Sequence, residues 1–168
     1  MRYIIVCYDS KPTFNTTISS VISSALLLSH NIRRDTILQI HFNNNKVLIV
    51  DGMNVRNLRP DYESMKGLVL SAIKGKTKYG IYIKDNRELH SINVEYLLYE
   101  SGTGSDLVNT LISINVQQDK PPKISYIVNC KSIPDNISSK KRILIYSNTR
   151  DLSVKIILFN YILDLLGW

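Results

Sequence analysis

The hydrophobic period switches repeatedly along the chain, and this alternation restricts the fold more than any other feature. Tyr3 to Tyr8 is an unbroken apolar run of the kind a buried strand requires. From Asn15 to His30 the apolar residues Ile18, Val21, Ile22, Ala25, Leu26 and Leu28 recur at helical spacing, with Asn15 or Thr16 available as the cap. Thr36 to Phe42 alternates with a period of two, Asn43-Asn44-Asn45 reads as a turn, and Lys46 to Val50 reads as the return strand of a hairpin.

The same punctuation continues downstream. Pro60-Asp61 opens a helix to about Lys74, with Met65, Leu68, Val69 and Ile73 as its apolar stripe. A short strand is expected over Gly80 to Ile83, a helical turn over Arg87 to Ile92, a strand over Val94 to Tyr99 and a helix over Leu107 to Ile114. Lys120-Pro121-Pro122 breaks the chain before strands at Ile124 to Val128 and Arg142 to Tyr146. Asp151 to Leu166 is a final helix, apolar on nearly every side, which requires burial in the core or in a dimer interface. Strands alternating with helices imply an α/β domain with a mostly parallel sheet and helices on both faces. At 168 residues, 1–168 reads as a single domain.

Charge and cysteine usage narrow the function. A formal charge of +7 favours polyanionic partners through phosphate contacts and counterion release. Cys7 and Cys130 sit in apolar runs, and two lone thiols are expected to be buried small hydrophobes rather than a disulfide or a zinc site. No metal cluster, Walker loop or hydrolase triad is legible. No apolar run reaches the ~20 residues that span a bilayer, and the apolar start is too short for a secretory signal, so a cytoplasmic protein without membrane contact is expected.

One block is far more specific than composition. Ala25-Leu26-Leu27-Leu28-Ser29-His30-Asn31-Ile32-Arg33-Arg34-Asp35 resembles the signature of the archaeal tRNA pseudouridine-54 N1-methyltransferases (the TrmY family), which belong to the SPOUT superfamily of trefoil-knotted RNA methyltransferases. The likeness continues in order through Leu58-Arg59-Pro60-Asp61, Gly80-Ile81-Tyr82-Ile83, Tyr96 to Gly102, Gly104-Ser105-Asp106 and Ile156 to Asp164. It departs in two places. Where the family carries Gly-Asp-His-x-Gly, this chain has Asn129-Cys130-Lys131-Ser132-Ile133-Pro134-Asp135, and the segment to the next strand is short. The last loop, Tyr146-Ser147-Asn148-Thr149-Arg150-Asp151-Leu152, lacks the family's proline and histidine.

The resemblance implies a C-terminal trefoil knot, a homodimer joined partly through the last helix, and S-adenosyl-L-methionine held by three loops. On this chain those loops supply Leu98, Gly102, Gly104, Asn129, Tyr146, Ser147 and Leu152 as cofactor-binding residues. Methylation of N1 of pseudouridine in the T-loop of tRNA needs a group that takes the N1 proton. Asp106, Glu100 and Asp35 are the candidates in that order, although Asp106 or Ser105 also suits a helix cap and Asp35 also suits an ion pair with Arg33 or Arg34. His30, at a helix end, is expected to face the helix dipole rather than to act in catalysis. Arg33 and Arg34 are the expected grip on tRNA or another structured RNA, with Arg59, Arg56, Lys74, Lys76 and Lys78 extending the patch and Tyr79 or Tyr82 able to stack on a base. The altered loops leave a second class of function open: a catalytically inactive SPOUT relative that binds RNA or a protein partner.

Overall fold

A computed structural model describes residues 1–29, 31–76, 79–116, 118 and 120–168. Seven strands form one sheet in the order β4-β3-β2-β1-β6-β5-β7. They are β1 (Arg2–Tyr8), β2 (Thr36–Phe42), β3 (Lys46–Asp51), β4 (Ile81–Asp85), β5 (Ile92–Asp106), β6 (Ile124–Val128) and β7 (Ile137–Tyr146). The helices are α1 (Thr16–Leu26), α2 (Tyr62–Ile73), α3 (Leu107–Val116) and α4 (Leu152–Leu165). β2, β1, β6, β5 and β7 run parallel to one another, while β3 pairs antiparallel with both β2 and the edge strand β4.

Local chemistry sets the helix starts. Asn15, Asp61 and Asp151 each accept a hydrogen bond from the backbone N–H three residues on, which satisfies a donor that the first turn leaves unpaired. α1 stops at Leu26, short of the expected end near His30. Leu27 leaves helical geometry and forms an isolated bridge to Ile32, which diverts the chain before Leu28 can join the helix.

All four helices pack on one face of the sheet, contrary to the expected cover on both. Ile18, Met65, Leu111 and Phe159, one from each helix, share a core cluster with Ile4, Leu38, Leu98 and Tyr126. On the opposite face Ile5, Leu97 and Ile127 form a smaller cluster with Ile92, Val94, Cys130 and Ile137. That face is sealed by strand and loop residues in place of a helix. The segment expected to be a helical turn over Arg87 to Ile92 is a single turn of 3-10 helix, Asn86–Glu88, and Ile92 already begins β5.

The two cysteines depart from expectation most plainly. Cys7 and Cys130 are joined in a disulfide that ties β1 to the segment after β6, with a Cα–Cα separation of 4.9 Å. Apolar flanks suggested two independent core thiols. They cannot reveal that parallel pairing of β1 with β6 brings the ends of these two strands side by side.

Candidate functional site

β5, β6 and β7 are mutually parallel, so the loops that follow them open at one end of the sheet. Ligand sites in open α/β sheets form at the carboxyl ends of such strands. The three loops expected to hold a cofactor are therefore co-located, and each is built differently.

The loop after β5 is a long excursion within the strand, where the sequence suggested a simple strand-to-helix turn. Glu100 and Ser105 both stand in register with Ile145, so the residues between them bulge out of the ladder. Gly102 and Gly104 have φ of 77° and 117°, and a Cβ at Gly104 would collide with the Leu144 carbonyl. Gly102 has open space around it. Asp106 ends the excursion as the cap of α3, its Oδ1 accepting from Asn109 N at 3.0 Å. Its other carboxylate oxygen has no protein partner among the described residues. Leu98 is fully buried in the core, so only its backbone can reach a ligand.

Glu100 has a different environment. Its side chain is 8% exposed and forms an ion pair at 2.6 Å with Lys155 of α4. Ser147 Oγ donates to Oε1 at 3.1 Å, and Tyr126 Oη donates to Oε2 at 3.1 Å. Burial and the Glu100 charge push the Tyr126 hydroxyl far above its ordinary value, so it stays a donor. Three donors on one carboxylate suit an anchor that holds the β5 and β7 loops together. A proton acceptor would need a free lone pair facing a substrate.

The loop after β6 turns toward β1. Asn129 adopts φ 60° and its Nδ2 donates to Cys7 O at 2.8 Å, while Tyr99 Oη donates to Cys130 O at 2.9 Å. With the disulfide, these bonds bind the loop to β1 and β5. The loop after β7 places Tyr146 opposite Asp106, Ser147 on Glu100, and Leu152 at the first turn of α4.

A cleft of about 580 Å³ opens at the ends of β1, β2 and β6, lined by Tyr8, Asp9, His41, Asn129, Cys130 and Lys131. Burial lowers the His41 imidazole to about 4, so it is neutral near pH 7 and shares a hydrogen bond with Gln39 Oε1 at 3.1 Å.

The arginines assigned to RNA lie elsewhere and are largely engaged within the fold. The Arg33 side chain is mostly buried, with Nη2 2.6 Å from Asp164 Oδ2, and burial lowers its guanidinium from the ordinary value. Arg34 Nη1 donates to the carbonyls of Gly52 at 3.0 Å and Val55 at 2.9 Å, bracing the segment after β3. Asp35 pairs with Arg2 at 3.1 Å, so neither of its expected partners, Arg33 or Arg34, forms that ion pair. Arg59 is exposed and, with Arg34, lines a cleft of about 280 Å³. Arg56, Lys74, Lys76 and Tyr79 are also exposed, whereas Tyr82 is partly buried on β4. His30 and Lys78 lie outside the described residues.

Three contributors were not legible beforehand. Arg2 is 3% exposed and its Nη1 stands 2.7 Å from Asp164 Oδ1, with Asn160 Oδ1 at 3.3 Å and the Trp168 carbonyl as further acceptors. Its Nε meets Asp35 as an ion-pair contact without hydrogen-bond alignment. Lys155 and Tyr126 complete the Glu100 cluster. An arginine at the second residue carries no local signal of burial. Only the tertiary approach of α4 to β1 makes Arg2 a buried cation.

No family profile matches the chain, and no curated protein sequence matches it. Among solved structures, the crystal structure of Archaeoglobus fulgidus Nep1 bound to S-adenosylhomocysteine is similar, with a TM-score of 0.50 and 13% identity over 88% of this chain and 70% of that one. At that identity the likeness is one of fold, and it agrees with the SPOUT-like α/β arrangement expected from the sequence. No helix among the described residues is long and apolar enough to cross a membrane.

Proposed function

We propose that the chain is an S-adenosyl-L-methionine-dependent RNA methyltransferase acting on N1 of pseudouridine in the T-loop of tRNA. The observation that carries this reading is the convergence of the β5, β6 and β7 loops at one end of a sheet whose fold matches that of an S-adenosylhomocysteine-bound protein.

The donor set suits such a cofactor. Backbone groups at Leu98, Gly102 and Gly104, the Asn129 segment, and Tyr146, Ser147 and Leu152 offer neutral N–H, C=O and hydroxyl groups. Open space at Gly102 lets a ligand approach the backbone. When bound, the sulfonium supplies an electrophilic methyl group. The chain's own part is to orient the base and receive the N1 proton. Asp106, whose second carboxylate oxygen has no protein partner among the described residues, is assigned that role, and Glu100 holds the two flanking loops in position. Arg59, beside the cleft braced by Arg34, is assigned to RNA, with Arg33 shaping the adjoining surface. The exposed stripe of α4 is assigned to a homodimer, and the C-terminal half to a trefoil knot.

A second reading, a non-catalytic relative that binds RNA, is favoured by one observation. The β6 loop is fastened to β1 by a disulfide and by Asn129, which restrains it from closing on a cofactor. Calorimetric titration with S-adenosylmethionine and S-adenosylhomocysteine separates the two. Saturable binding at one site per chain, followed by methylation of a tRNA transcript containing pseudouridine, supports the enzyme. No heat at millimolar ligand removes it and leaves the binding protein.

A further inference from the structure

Lys140, Lys141 and Arg142 are consecutive, exposed and carried on the outermost strand, which contains no carboxylate. Among the described residues β7 pairs with β5 alone, so its other edge offers backbone N–H and C=O groups to solvent. None of the three cations forms an ion pair among the described residues. Lys141 lies on the helix side, where its Nζ stands 6.0 Å from the centre of the Tyr96 ring.

Two grooves flank this edge. One, of about 520 Å³, runs between α3 and β7 and is lined by Ser105, Asn109, Ser113, Lys141 and Arg142. The other, of about 480 Å³, is lined by Lys123, Ser138, Ser139 and Lys140 together with Glu95. Among the described residues Glu95 is the single carboxylate lining either groove, and its Oε1 already accepts from Lys123 N at 3.0 Å.

We propose that the free edge of β7 is the chain's main phosphate-gripping surface, with RNA backbone running along its two grooves. The identity of the polyanion rests on the RNA reading above; the surface itself rests on the unpaired charge and the groove chemistry. Lysines on an edge strand also deter edge-to-edge pairing. Charge alone would serve that purpose, whereas here hydroxyl and amide groups line both grooves and supply the neutral half of a phosphate site. Arg33 is held by Asp164 and Arg34 Nη1 by backbone carbonyls, so these two arginines offer less unpaired charge to a phosphate than the β7 edge does.

The test is fluorescence anisotropy of a labelled tRNA transcript titrated with the full chain over a range of salt concentrations. The triple variant Lys140→Gln, Lys141→Gln, Arg142→Gln is expected to bind about ten-fold more weakly or worse, with a salt slope shallower by about two to three. Its thermal midpoint and its response to S-adenosylhomocysteine are expected to match the parent chain. The double variant Lys11→Gln, Arg87→Gln, which removes exposed charge elsewhere, is expected to change affinity by less than about two-fold. A parent chain that binds tRNA and a triple variant with the same affinity and slope overturn this surface and leave the RNA reading standing. A parent chain that binds no RNA overturns both. A triple variant that loses binding to phosphatidylserine vesicles while keeping its RNA affinity assigns the edge to membranes and overturns the proposal as well.

Discussion

Arg33 Nη2 lies 2.6 Å from Asp164 Oδ2 across 131 residues of sequence, and the other oxygen of the same carboxylate receives Arg2 Nη1 at 2.7 Å. One carboxylate on α4 thus holds two guanidiniums that are almost buried, with side chains 4% and 11% exposed. Asn160, one turn earlier, donates from Nδ2 to the Ser24 and Ala25 carbonyls at the end of α1. The block with the most specific resemblance works here as a latch between the N-terminal half and the last helix.

Removing that carboxylate leaves two buried cations short of a partner. Breaking a buried pair costs about 3–5 kcal/mol, and the 39% exposure of Asp164 reduces this to about 2 kcal/mol. Asp164→Asn is therefore expected to lower the thermal midpoint by about 4–8 °C. The exposed Glu63–Lys66 pair at 3.3 Å provides the contrast, and Glu63→Gln is expected to move stability by no more than about 0.5 kcal/mol. Equal midpoints for Asp164→Asn and the parent chain would show that the latch contributes nothing.

His41 makes the stability of the chain depend on mild acid. Its folded value, about 4, lies below the unfolded 6.5, so the fold favours the neutral ring. This contribution is complete above about pH 6.5 and is lost as the pH falls toward 4, because the unfolded chain takes up the proton first. The full loss is on the order of 3 kcal/mol. Asp61 and Asp85, whose carboxyls are held below their ordinary value by hydrogen bonds from Ser64 and Arg87 backbone N–H and neighbouring groups, act only at lower pH. Urea denaturation at pH 7 and pH 5 is expected to show a smaller difference in His41→Gln than in the parent chain. The same difference in both would assign the acid sensitivity to other groups.

Much of the fold was legible because its signals are local. The periods of Tyr3–Tyr8, Thr36–Phe42 and Met65–Ile73, and Asn15 as a cap of α1, require no tertiary partner to be read. The misjudged elements all depended on pairing. The Gly-rich segment Glu100 to Asp106 reads as a strand-to-helix turn, yet the ladder with β7 resumes at Ser105 and carries β5 to Asp106. β7 itself begins at Ile137 rather than Arg142, because Ser138 and Ser139 gain strand geometry from Asn93 and Val94 across the ladder. Site chemistry followed the same division. Asp106 as a cap is visible in the sequence, while the partners of Glu100, Arg2 and Cys7 lie 55, 162 and 123 positions away at Lys155, Asp164 and Cys130.

The Cys7–Cys130 bond closes a long loop, so it restrains the unfolded chain strongly. For a separation of 123 residues the chain-entropy effect approaches about 4–5 kcal/mol, and native disulfides of this kind contribute about 2–5 kcal/mol. Cys7→Ser with Cys130→Ser is expected to unfold at correspondingly lower denaturant concentration. Intact mass of the protein purified without reductant should be lower by two hydrogens than after reduction. A thiol-reactive dye labelling both cysteines in the folded, unreduced protein would contradict the bond.

The last helix carries more apolar surface than the monomer covers. Ile156, Phe159 and Leu163 are buried, while Val154, Ile157, Tyr161 and Leu165 are 46%, 52%, 57% and 66% exposed and lie on one stripe at spacings of three and four. Ile112 and Val116 of α3, the neighbouring helix, are exposed as well. Such a contiguous patch is costly in water and suits a two-fold interface, where the same stripe meets its own copy. Sedimentation equilibrium is expected to give a dimer for the parent chain and a monomer for Ile157→Glu with Tyr161→Glu. Because both side chains already face solvent, the double variant should keep its secondary structure by circular dichroism. A parent chain that sediments as a monomer at high micromolar concentration would remove the homodimer from the proposed function and leave the stripe for another partner.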